Sequence, residues 1–232
     1  MKIVAHDLET EINGLQRNLL EPFSLFGDHP NVSRYVESGF KRLLDIIVAF
    51  SGLVLLSSLM CIIAFRLRSE GKQVFYLQKR VGKGGKEFFM YKFRTMVPNA
   101  EALRASLENL VTDGPLFKVR NDPRVTGFGR ILRRRCLDEI PQLINVIKNE
   151  MSLVGPRPPR PKEVLLYEDW QMVRLEVVPG ITGLWQISGR SELPFEERLY
   201  LDENYIRNWS LWMDIVILIK TFRVTLSGKG AF

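Results

Sequence analysis

The pattern of apolar and polar positions divides the chain into one long apolar block and a series of short alternating elements. From Ile46 to Phe65 no residue is charged, and a helix of about twenty such residues reaches across the hydrocarbon of a bilayer. Residues 41–70 are therefore expected to form a membrane-embedded helix. They begin behind too many polar residues to be a cleavable signal peptide. Lys41 and Arg42 precede the apolar run, and Arg66 and Arg68 follow it. Basic flanks at both ends favour neither orientation by the positive-inside rule. Two arrangements stay open: a straight span, and a re-entrant segment that enters and leaves by one face. Ser57 and Ser58 lie near the middle, where a hydroxyl can bond a carbonyl freed by a bend.

The segments on either side differ from this block. Residues 1–40 are mixed in polarity, with a turn-like FGDHPN at 26–31, and are expected to form an N-terminal extension of a peripheral helix and a loop. After the apolar block, residues 71–232 show shorter periods. QVFYLQKRVGKGGKEFFMYKFRTM predicts two strands joined by a turn at Lys83-Gly84-Gly85-Lys86. Those glycines lack the spacing of a phosphate-binding P-loop. Lys92 and Arg94 alternate with Tyr91 and Phe93, which puts both cations on one strand face. A helix is expected over 98–110, a loop over DGPLFKVRNDPRVTG, and a basic amphipathic helix from Gly127 to Arg135. LVGPRPPRP predicts a stiff connection, VVPGITGLWQISGR a loop, and helices resume near Pro194.

Charge narrows the chemistry. Lys and Arg number 33 against 26 Asp and Glu, a net +7, which suits partners carrying phosphate: nucleotide, anionic lipid or nucleic acid. Cys61 and Cys136 make no disulfide framework, and a reducing compartment is the default. The only histidines, His6 and His29, lie in the N-terminal extension. A Cys/His zinc site or an internal Ser-His-Asp triad is therefore not expected in the main body.

RRRCLDEIPQLINVI, residues 133–147, concentrates the candidate chemistry. Pro141 is expected at the first position of a helix, with Asp138 and Glu139 just before it, where unbonded N–H groups favour negative charge. Simple helix capping is one reading. The other follows from three arginines outweighing two carboxylates, a surplus that calls for another anion. An aspartate beside a glutamate that binds magnesium, facing arginines that hold phosphate oxygens, makes a workable phosphoryl-transfer site. Arg157, between Pro156 and Pro158, has a stiffened backbone that lowers the entropy lost on placing its guanidinium. It reads as a phosphate ligand or as part of a polar linker. Trp209 and Trp212 suit either the membrane–water boundary or the core.

YKFRTM, DPRVTGFGRILRRRCLDEIPQLINVIKNEMSLVGPRP, PGITGLWQISGR and NWSLWMDIVILIKT together resemble the bacterial sugar transferases, the monotopic polyprenyl-phosphate phosphoglycosyl transferases. The resemblance runs from Lys41 to the C-terminus. It implies transfer of a sugar 1-phosphate from a UDP-sugar to polyprenyl (undecaprenyl) phosphate, with release of UMP, as a membrane step of exopolysaccharide, capsule or O-antigen assembly. It further implies Asp138 as nucleophile, Glu139 as the ligand of Mg2+, and substrate contacts from Lys92, Arg94, Arg133, Arg157, Gln186, Arg190, Asp202 and Asp214. The implied fold is α+β: a re-entrant membrane helix with a mainly helical catalytic domain that carries a small β-hairpin. The implied location is the cytoplasmic face of the bacterial inner membrane, with membrane lipid as a partner and a homodimer as the candidate assembly.

Many members of the family carry Ser-Pro at mid-segment, whereas the matching pair here is Ser58-Leu59. LWQISGR and the terminal GKGAF are closest to the hexose branch, which uses UDP-galactose or UDP-glucose. A membrane-tethered nucleic-acid binder is the main rival reading. No nucleic-acid motif accompanies the basic helix, so nucleic acid is not the expected partner. A non-catalytic scaffold for envelope assembly is the other.

Overall fold

Gly39–Ser69 form one unbroken helix, α1, of 31 residues, about 46 Å long at 1.5 Å per residue. No bend occurs at Ser58-Leu59, because the segment has no proline to remove a donor. The Ser57 hydroxyl donates to the Val54 carbonyl at 2.7 Å within the continuous helix. Lys41, Asp45, Ala49, Ile63 and Leu67 are buried, and half-buried Gly52, Leu56 and Met60 complete their stripe at helical spacing. Both ends of α1 therefore pack on the same folded body. The opposite side is apolar and bare, with Leu55 80% and Phe65 78% exposed, a surface suited to lipid. Among the described residues α1 is the one helix long and apolar enough to cross a membrane.

The computed structural model describes residues 39–71, 73–106, 119, 122–190 and 193–227. Of the helix and loop expected over 1–40, residues 1–38 lie outside the described residues, while Gly39 and Phe40 begin α1 instead. The end of the helix expected over 98–110, much of the loop after it and GKGAF also lie outside. Within 98–110, Ala102–Ser106 form a 3-10 turn.

The expected hairpin is present. β1 (Phe75–Val81) and β2 (Glu87–Phe93) pair antiparallel, with Tyr76 opposite Lys92 and Leu77 opposite Tyr91. Gly84 and Gly85 turn the chain with φ of 65° and 74°, a left-handed region that glycine enters without steric cost. α2 (Gly127–Arg134) follows, then a 3-10 turn at Leu137–Glu139 and the short helix α3 (Gln142–Ile147). Pro141 occupies the N-cap of α3 and not its first turn.

A second sheet departs from the sequence expectation. β3 (Ser152–Val154) overlaps the start of the proline-rich stretch and pairs in parallel with β4 (Gly180–Thr182), which was expected as loop. The partners are far apart in sequence and no local period announces them. A Cβ on Gly180 would lie 2.1 Å from the Gly155 nitrogen, so the pairing requires glycine there. The remaining helices are α4 (Pro161–Val164), α5 (Leu184–Ser188), α6 (Phe195–Arg207) and α7 (Leu211–Ser227), with a 3-10 stretch at Asp169–Leu175. Tyr205, Ile206, Ile217, Val146 and Met151 meet β3 in the main core. A second cluster joins Ile63 and Leu67 of α1 to Phe93 and Leu132. Trp209 packs against the main core, and its Nε1–H donates to Asp214 at 3.3 Å. Trp212 faces outward, 71% exposed.

Candidate active site

The site forms where the end of β2, α2, the 137–139 turn and the proline-rich segment converge. Thr126 caps α2, its hydroxyl accepting from the Gly129 N–H at 3.0 Å. Its own N–H donates to the Thr95 carbonyl at 3.0 Å. A Cβ on Gly129 would sit 2.1 Å from that carbonyl, so only glycine lets α2 approach the chain leaving β2 so closely. The approach places the Arg133 Nε–H on the Thr95 hydroxyl at 2.9 Å. Cys136, with φ of 53°, then reverses the chain into the turn that carries the two carboxylates.

Asp138 is buried, and among the described residues no other side chain hydrogen-bonds its carboxylate. Burial pushes this carboxyl above the ordinary aspartate range, and adjacent Glu139 adds to the effect. Lys92 and Arg133 pull the other way. Glu139 is in the reverse position. Burial raises it, but Lys92, Arg157 and Arg80 together overcome burial and hold it at about 2. The Lys92 Nζ donates to Glu139 Oε1 at 2.6 Å, and Arg157 Nη1 lies 3.9 Å from the same oxygen. Burial lowers Lys92, with Glu139 opposing. Two neighbouring carboxylates thus have opposite perturbations, a pattern that separates chemical roles.

Asn145 holds the strand that delivers Lys92. Its Oδ1 accepts from the Tyr91 N–H at 3.0 Å, and its Nδ2 donates to the Phe89 carbonyl at 2.8 Å. Arg42 of α1 caps the far end of α3, donating to the Val146 carbonyl at 2.7 Å. α1 is thereby bonded to the helix that follows the dyad.

The other residues expected at the site divide into two groups. Arg190 reaches the turn, with Nη2 3.2 Å from Cys136 Sγ. Gln186 lies on α5 and donates to the Ile181 carbonyl at 3.0 Å, leaving its buried Oε1 without a hydrogen bond. Arg94 turns to Gln73, at 2.7 Å. Asp202 is fully buried and accepts from Arg174 Nε and Nη2 at 3.0 and 2.7 Å. Arg174 also donates to the Arg157 carbonyl at 3.0 Å, so Asp202 bears on the site through Arg174 and the backbone of Arg157. Asp214 accepts from Lys41 at 2.6 Å and Tyr205 at 2.7 Å, tying α1 to α6 and α7. Of the three consecutive arginines only Arg133 turns inward, while Arg134 and Arg135 are exposed. Arg80 was missed in the sequence. Alternation along β1 distinguishes it from exposed Lys79, but nothing in the strand pattern says that its face meets Glu139.

Magnesium takes oxygen ligands and completes its shell with substrate phosphates and water, so one or two carboxylates suffice. Glu139 fits that requirement as the one carboxylate ligand. Lys92 and Arg157 both approach Glu139 through Oε1. Among the described residues no group of three His, Cys, Asp or Glu gathers for a denser metal site.

Residues 36–228 match the family described as bacterial sugar transferase, and the chain belongs to it. It is 41% identical over 210 residues to the undecaprenyl-phosphate galactose phosphotransferase of Salmonella typhimurium, across 87% of this chain and 44% of that protein. It is 44% identical over 194 residues to galactosyl transferase CpsE of Streptococcus agalactiae, across 82% and 43%. It is 39% identical over 198 residues to exopolysaccharide production protein ExoY of Rhizobium meliloti, across 83% and 88%. The chain thus spans less than half the length of the first two relatives and most of the third.

Proposed function

We propose that this protein transfers a sugar 1-phosphate from a UDP-sugar to undecaprenyl phosphate in polysaccharide synthesis, through a covalent intermediate on Asp138. The observation that carries this reading is the dyad: a buried aspartate without a side-chain donor, beside a glutamate locked by Lys92 and Arg157. An Asp138 oxygen attacks the β-phosphorus, and the bond to the bridging oxygen breaks. UMP leaves with that electron pair, and the sugar phosphate remains on the carboxylate as an acyl phosphate. An oxygen of the lipid phosphate then attacks the same phosphorus, forming the diphosphate and returning the Asp138 carboxylate. Arg133, Arg157 and Lys92 offset charge on the phosphoryl oxygens; such transfers rest mainly on positioning and electrostatics, so no histidine base is needed. Glu139 would hold Mg2+, which neutralises phosphate charge when bound.

The galactose and N-acetylgalactosamine named for relatives support a hexose of that series as the sugar. Membrane attachment follows from α1 and from the lipid acceptor. We place both ends of α1 on the cytoplasmic face, with the unbroken helix lying along the membrane surface and its bare apolar side in the lipid. Support comes from Lys41 and Leu67, near opposite ends, which are both buried against one body.

The test is incubation of the purified protein with UDP-galactose alone, followed by mass spectrometry and chromatography of the nucleotide. A hexose-phosphate adduct on Asp138 and release of UMP are expected. Asp138→Asn keeps the shape but removes the nucleophile, so turnover should fall at least ~10³-fold in a folded protein. UDP as the first product, or activity retained in the Asn variant, would overturn the reading.

A further inference from the structure

Arg157 also lines a cleft whose walls carry five arginines: Arg80, Arg157, Arg160, Arg174 and Arg198. Three carboxylates answer them, one of them Glu139 of the dyad, 3.9 Å from Arg157. Glu163 lies 3.7 Å from Arg160 Nε, and Asp202 takes the charge of Arg174. Arg80 is 4% exposed; its two terminal nitrogens donate to the Pro158 carbonyl and Gln78, but its buried Nε–H has no acceptor. The buried Nε–H groups of Arg160 and Trp185 also lack one. Burial, with Arg157 and Arg160 nearby, pushes Arg80 down to about 9, as expected of cations gathered without enough anion. Trp185 stands in the cleft with Arg157 and Arg198 over its ring, 6.0 and 5.4 Å from the centroid.

The cleft adjoins the dyad, because Arg157 lines it and also approaches Glu139 at 3.9 Å. α1 packs chiefly on α3 and β3, whereas the cleft is walled by β1, the proline-rich segment, α5, α6 and the 169–175 stretch. A lipid phosphate arriving along α1 therefore comes from another direction, and the cleft suits the water-soluble reactant. A neutral sugar has no use for five guanidiniums, whereas a phosphate monoester with an aromatic base has use for both the arginines and the indole.

We propose that this cleft seats the nucleoside 5′-monophosphate half of the donor, its phosphate among Arg157, Arg160 and Arg198 and its base against Trp185. The inference rests on the transfer reading above and adds where the leaving group is held. It makes Trp185 and Arg198 determinants of nucleotide affinity.

The test is calorimetric titration of UMP into the detergent-solubilised full chain, which reads the cleft without turnover. Arg198→Gln should weaken UMP binding by about tenfold to a hundredfold, the loss expected for one charged contact. Trp185→Leu should weaken UMP by about tenfold but leave inorganic phosphate within about twofold of wild type, since only the nucleoside stacks. Lys148→Gln, at the exposed end of α3, should leave UMP affinity unchanged. UMP affinity within about twofold of wild type in both cleft variants, with melting temperatures retained, would overturn the proposal. So would a loss confined to lipid-phosphate binding, which would assign the cleft to the acceptor. UMP bound in the cleft without an adduct on Asp138 keeps this inference and sinks the covalent mechanism. An adduct formed with nucleotide affinity insensitive to both variants does the reverse.

Discussion

Replacing Lys92 with methionine keeps the length of the side chain and removes the ammonium that lies 2.6 Å from Glu139. The two side chains are 14% and 21% exposed, so solvent screens the pair only weakly. Glu139 is held at about 2 against an ordinary 4.5, a difference equivalent to about 3 kcal/mol. Lys92 is the largest of the cations responsible and Arg157 the next. Lys92→Met should therefore cost about 2–3 kcal/mol, below the upper range for breaking a fully buried pair. For a chain of this size that corresponds to a melting temperature lower by about 4–12 °C at pH 7. The sign with pH follows from the depressed carboxyl. The pair's contribution is complete above the ordinary value of 4.5 and is lost as pH falls towards about 2. Thermal melts followed by circular dichroism in one detergent, at pH 7 and pH 3, should show the gap between wild type and variant narrowing in acid. Glu139→Gln in the same background should restore most of the loss, because the stranded carboxylate is then neutral. A drop under about 2 °C at pH 7, or a gap that widens in acid, would refute the pairing.

Two further outcomes follow. Burial raises Asp138, and only its ionised form can attack phosphorus, so single-turnover adduct formation should show an acid limb above the ordinary aspartate value of 3.8; a limb at or below that value would remove the buried nucleophile from the mechanism. For topology, Gly39→Cys and Glu70→Cys, each in a Cys61→Ser, Cys136→Ser background, should both escape an impermeant maleimide in intact cells and label after permeabilisation. Labelling of position 39 from outside would establish a straight span.

The opposed behaviour of two adjacent carboxylates is a tertiary effect. Asp138 and Glu139 share a three-residue turn, yet Glu139 meets Lys92 and Arg157 while the Asp138 carboxylate lacks a side-chain donor. Neighbours in sequence have nearly the same backbone surroundings; the difference lies in which distant cations each side chain meets. Asp202 and Asp214 make the same point from the other side. The resemblance implies both as substrate contacts, and both are buried in ion pairs, with Arg174 and with Lys41.

The sequence by itself determined the apolar helix, the hairpin, the basic helix α2 and the position of the dyad. Each is a local pattern: an uncharged run, a period of two around Gly84-Gly85, a helical stripe, and a motif read along a few residues. Tertiary structure decided the rest. α1 stays unbroken and lays one stripe along the body, from Lys41 to Leu67. β3 and β4 pair across 28 positions of sequence, through Ser152 and Gly180. Arg133 turns inward while Arg134 and Arg135 face solvent, because the rotation of α2 is set by Gly129 against the Thr95 carbonyl. Arg80, Arg160 and Arg198 come from three separate elements and share one cleft. A local period gives the face of an element on which a charge sits; what that face meets depends on how the elements pack.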